Sequence, residues 1–146
     1  MRPLRAIVTG TLIVGTLDAL DAIVFFGLRN GATPKRIFQS IAFGLLGRST
    51  YNDGPASASL GVAIHYFVAC GIVVTYLALS KRIGVLTRHP FVCGSIYGVG
   101  VYFFMNLVVI PLSAIGPQRF VPGPLVNGLL IHVFGIGIPT ALVARD

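Results

Sequence analysis

The chain has 146 residues, of which 55% are hydrophobic and only 10% charged, with a formal charge of +7. Mean hydropathy is +0.87, whereas a water-soluble domain carries about 25% charged residues. The composition therefore excludes a soluble globule and makes the lipid bilayer the expected solvent. The basic residues stand singly or in pairs at segment ends, as at Arg2, Arg5, Lys81, Arg82 and Arg88. That pattern fits headgroup contacts and topology signals, and it argues against a nucleic-acid partner.

The first apolar stretch covers 4–28. It is too long for a signal-peptide core of about 7–15 residues, carries aspartates and lacks a clean small-residue cleavage site, so a retained helix is expected. Asp18 and Asp21 lie inside it, and they are two of only four acids. A carboxylate among apolar spans is costly unless paired, neutralised or turned to a water-filled cavity, so both are candidates for a functional site.

Next comes the longest connection. Asn30-Gly31 signals a turn. Thr33-Pro34 reads as an N-cap followed by proline at the first helical position. From 34 to 46 an amphipathic helix is expected, with Ile37, Phe38, Ile41 and Leu45 on one face and Lys35, Arg36, Gln39 and Ser40 on the other. It is too short to span and is assigned to the membrane interface. Gly47 is the expected stop.

Three further apolar stretches follow, at 57–79, 91–114 and 124–143. Each has the roughly 20 residues needed to cross about 30 Å of hydrocarbon, and without water each must be helical. The expectation is one all-α domain, an integral membrane four-helix bundle. Short connections at 80–90 and 115–123 make neighbouring helices antiparallel. Pro111 and Pro139 fall in late turns and should bend or end their helices. Gly94 and Gly98 form a GxxxG, which lets helices approach closely. Cys70 and Cys93 should differ in depth, so no disulfide is expected. With the N-terminus inside, six basic residues face the cytoplasm against five outside. The short basic loop at 80–90 favours that orientation.

A faint repeat runs through the chain. Gly61, Ile64, His65 and Phe67 recur as Gly128, Ile131, His132 and Phe134, and Gly15 and Asp21 align with Gly100 and Asn106. A duplicated hairpin would give this pattern; chance matching in apolar text is the alternative.

Counting along each helix at 1.5 Å per residue puts the polar groups at one level. Asp18 and Asp21 lie about 15 and 10 Å from Leu28, His65 about 12 Å from Ser57, His132 about 12 Å from Pro124, and Asn106 about 9 Å from Leu112. Asp18 and Asp21, three residues apart, share a helical face. Facing inward they would meet His65 and His132, with Asn106, Tyr66, Tyr102 and Asn127 extending a network. An acid beside an imidazole can hold or pass a proton near neutral pH. The site is thus expected to bind a proton, cation or small polar ligand, in a protein that is not an enzyme: no nucleophile elbow, phosphate loop or HExxH is present.

Other roles are weighed beside it. Polar side chains between membrane helices can be simple glue worth about 1 kcal/mol or less. The aspartates could contact a second copy or a larger membrane subunit, making the chain a structural accessory. His65 and His132 could ligate haem from two helices. The same acids and histidines could on paper supply a metal such as zinc.

Gly61 to Tyr76 with His65, the loop ending Arg88-His89-Pro90, the glycine-rich third helix ending Ile110-Pro111-Leu112, the Ile115-Gly116-Pro117 turn and the final helix with Gly128 and His132 resemble small bacterial inner-membrane proteins of the YagU-like kind. The resemblance covers about half the chain and implies a bacterial inner-membrane location and a multi-helix fold. The sequence departs from that pattern in lacking a long polar insertion between the early spans and in carrying Asn127 where an acid would precede the last histidine.

Overall fold

The computed structural model describes residues 3–146, and all regular structure among them is helical. Four helices are long and apolar enough to cross a membrane: α1 (Pro3–Asn30), α3 (Pro55–Ser80), α5 (Pro90–Leu112) and α6 (Pro122–Arg145). Two shorter ones join them, α2 (Pro34–Leu46) after α1 and the single turn α4 (Val85–Arg88) before α5. Each of the four long helices begins at a proline. Proline suits that position because its fixed φ is already helical and its missing N–H would have had no partner there.

The expected spans match these helices to within two residues at each end. Thr33 caps α2 as its sequence suggests, its Oγ1 accepting from the Arg36 N–H at 3.3 Å. Gly47 stops α2 at a φ of +70°, a conformation that favours glycine.

α1 is central. It packs along α3 on one side and α6 on the other, and α5 packs along α6. Val14, Ala69, Val73 and Ile136 form the buried apolar centre where α1, α3 and α6 meet. Between α5 and α6 the backbones nearly touch. A Cβ on Gly94 would lie 2.8 Å from the Gly137 carbonyl oxygen, and one on Gly98 would overlap the His132 carbonyl. The GxxxG is thus consumed inside the chain.

One expectation needs correction. Gln39, assigned to the polar face of α2, is instead buried at 4% exposure. The reason is local: α2 packs against α3, and Gln39 Nε2 donates to Gly54 O at 3.1 Å and Ser57 Oγ at 3.2 Å. Pro139, expected to bend or end its helix, lies inside α6 without ending it. The helix widens into a π segment over His132–Gly137 and then continues to Arg145. Likewise Met105–Val109 is π-helical ahead of Pro111, after which α5 ends at Leu112. An interior proline lacks an N–H and crowds the carbonyl four residues back, and a wider turn accommodates both faults.

α3 and α5 stand apart along most of their length. Tyr97 reaches across, its hydroxyl donating to Ile72 O at 2.7 Å, and its ring meets Tyr76 edge-on with centroids 4.9 Å apart. Beside this bridge lies an open groove of about 700 Å³.

Candidate functional site

Asp18, His65, Asn106 and His132 line one cavity of about 230 Å³, with Ile41 of α2 and Met105 also in its wall. One polar group comes from each long helix. Two of the four lie in the π segments, Asn106 in Met105–Val109 and His132 in His132–Gly137. π-bulges recur at functional positions because they re-aim side chains out of the regular helical register.

α3 approaches α1 closely because Gly15 has no side chain; a Cβ there would lie 2.6 Å from the Tyr66 ring. That approach lets His65 Nε2 donate to the Gly15 carbonyl oxygen at 2.7 Å. A carbonyl only accepts, so Nε2 must carry the hydrogen of this bond. In the neutral ring Nδ1 is then a bare acceptor. Asp18 Oδ2 lies 3.9 Å from Nδ1. Two acceptors so placed have nothing to exchange unless a proton or another donor comes between them.

His132 is fixed in a related way. Its Nδ1 donates to Gly128 O, one turn back, at 2.8 Å, which leaves Nε2 as the acceptor of the neutral ring. The Tyr102 ring holds it edge-on at 5.2 Å between centroids. Asn106 Nδ2 donates to Tyr102 O at 2.9 Å, so its Oδ1 is left as a further acceptor. Backbone carbonyls therefore occupy donors of three of the four groups, and the cavity is rich in unspent acceptors.

Asp21 is not brought to this cavity. Its Oδ2 accepts from Asn127 Nδ2 of α6 at 2.7 Å. Tyr66 bonds Thr16 at 2.9 Å rather than either carboxylate. Both intramembrane-type acids thus have neighbours within the chain. Among the described residues no three of His, Cys, Asp and Glu gather closely enough to hold a metal ion, and both cysteines are free. Sequence reasoning did not find the Gly15 carbonyl, which sets the state of His65; a glycine one turn before an aspartate was the only available hint.

No protein-family model, curated protein or solved structure matches this chain.

Proposed function

We propose that the chain is a non-enzymatic, multi-pass protein of a bacterial inner membrane, its N-terminus cytoplasmic, whose Asp18–His65 pair holds one exchangeable proton in a cavity shared with His132 and Asn106. A cation or small polar donor takes the proton's place. The protein works as an oligomer, because four helices enclose too little interior for a complete transport path.

One observation carries this reading: the bond from His65 Nε2 to the Gly15 carbonyl, which leaves Nδ1 facing Asp18 at 3.9 Å. Four helices of membrane-spanning length support the location, as does the resemblance to YagU-like inner-membrane proteins. The accessory-subunit alternative needs carboxylates directed at another chain, whereas Asp18 faces His65 and Asp21 accepts from Asn127.

The test is infrared difference spectroscopy of the purified protein in nanodiscs across a pH step. A carboxyl or imidazole band that titrates in the wild type and vanishes in Asp18→Asn is expected. A spectrum indifferent to Asp18→Asn sinks the proposal. A Soret band in the purified protein would instead make His65 and His132 haem ligands.

A further inference from the structure

The acceptor-rich cavity and the groove between α3 and α5 adjoin each other. Val68, Ile72 and Met105 line both. The groove is open on its far side and its wall is almost wholly apolar, with Phe104 and Tyr97 supplying aromatic surface. A molecule entering between α3 and α5 would slide an apolar body along this wall and bring its leading end to Asp18.

The polar end has a defined demand. Asp18 offers carboxylate oxygens, His65 offers Nδ1 and His132 offers Nε2, because the other ring nitrogens are already donating to Gly15 and Gly128. A primary ammonium carries three N–H donors and no acceptor, which suits a wall that offers acceptors. An anionic head would meet Asp18 and find few donors. A quaternary ammonium would bring charge but no N–H.

We infer that the cavity and the adjoining groove together form a binding site for a single-chain lipophilic primary amine, its alkyl chain in the α3–α5 groove and its ammonium between Asp18 and His65. The inference rests on the proton site proposed above and extends it, because the ammonium and the proton compete for one place. The exchange balances: the protonated Asp18–His65 pair takes up R–NH₃⁺ and releases one H⁺, leaving a carboxylate and a neutral ring that both accept from the ammonium. The titratable groups acting on Asp18 are His132 of α6, His65 of α3 and Asp21 of α1 itself. α2 and α5 contribute only Ile41, Met105, Asn106 and Ile110 to the cavity wall.

Isothermal titration of the protein in nanodiscs with n-dodecylamine tests this, against empty nanodiscs. Saturable binding with release of about one proton is expected, the proton count being read from buffers of different ionisation enthalpy. Apparent Kd should fall about tenfold per pH unit while the pair is protonated, until the amine itself discharges near pH 10 or so. Asp18→Asn should weaken dodecylamine at least about tenfold, or roughly 1.4 kcal/mol, and dodecyltrimethylammonium should bind correspondingly less well than dodecylamine.

Gly100 and Gly71 line the groove, and a Cβ at either meets nothing within 4 Å. Gly100→Phe, or Gly71→Leu should the first not fold, projects a bulky side chain into the groove from a Cβ that meets no neighbour. Either should abolish dodecylamine binding while propylamine still displaces the proton. If dodecylamine fails to saturate while the Asp18-dependent infrared band persists, this inference falls and the proton site stands. If the band is missing as well, both fall. Equal binding of dodecanol, or binding untouched by Asp18→Asn, also overturns the assignment.

Discussion

His65 donates from Nε2 to the carbonyl oxygen of Gly15, 2.7 Å away across the α1–α3 contact. That bond fixes the ring so that only Nδ1 can gain or lose a proton. In ¹⁵N-histidine spectra of the protein in nanodiscs, His65 should carry its hydrogen on Nε2. Gly15→Ala pushes a methyl into the Tyr66 ring, so the ring or the helix contact must shift, and the tautomer preference should weaken. A His65 whose Nε2 is the bare nitrogen at neutral pH would overturn the arrangement.

The spans were legible because lipid leaves the sequence few options. Twenty apolar residues opened by proline can only be a helix, and antiparallel order turns residue counting into depth. That is why Asp18, His65, Asn106 and His132 fall around one cavity. Rotation about the helix axis was not legible. Three residues advance a helix by about 300°, which leaves Asp21 roughly 60° round from Asp18. That offset carries Asp21 to Asn127 on α6 while Asp18 looks at His65 on α3. Gln39 was misassigned for a similar reason. Periodicity within α2 sees a polar residue among polar neighbours, but the groups that bury it, Gly54 and Ser57, lie in a different segment.

Thr140 is wholly buried in α6, and among the described residues its hydroxyl has no hydrogen-bond partner. A buried hydroxyl without a partner costs about 1–3 kcal/mol relative to a satisfied one. Thr140→Val keeps the shape and removes the unpaired group. It should raise unfolding free energy by about 1 kcal/mol in a denaturant titration of the detergent-solubilised protein. A loss of similar size would mean the hydroxyl has a partner in the membrane.

Gln39 ties α2 to the start of α3. Its Nε2 donates to Gly54 O and to Ser57 Oγ, and Ser57 Oγ in turn donates to Thr50 O at 2.6 Å. Gln39→Ala removes the donor that Gly54 O and Ser57 Oγ share and empties a buried site, at a cost of about 1–3 kcal/mol. The loss should be local. Amide exchange should quicken across residues 33–54, while the amides of α5 and α6 keep their protection. Uniform acceleration over all helices would show that α2 is not a separable flap over the α1–α3 end.

Gly98 and Gly100 lie two residues apart in α5 and face opposite fates. At Gly98 an added Cβ would run into the His132 carbonyl, which is backbone and cannot rotate away. At Gly100 the same atom meets nothing within 4 Å. Overpacking commonly costs about 1–3 kcal/mol, and more where backbone must shift, so Gly98→Ala should lose about 3 kcal/mol or fail to fold. Gly100→Ala should gain up to about 1 kcal/mol, since alanine has the better helix propensity. Because the displaced carbonyl belongs to His132, Gly98→Ala should also move the His132 imidazole resonances, whereas Gly100→Ala should leave them in place. Equal stability of the two variants would mean that α5 and α6 do not meet backbone to backbone, and with that contact would go the position of His132 in the cavity.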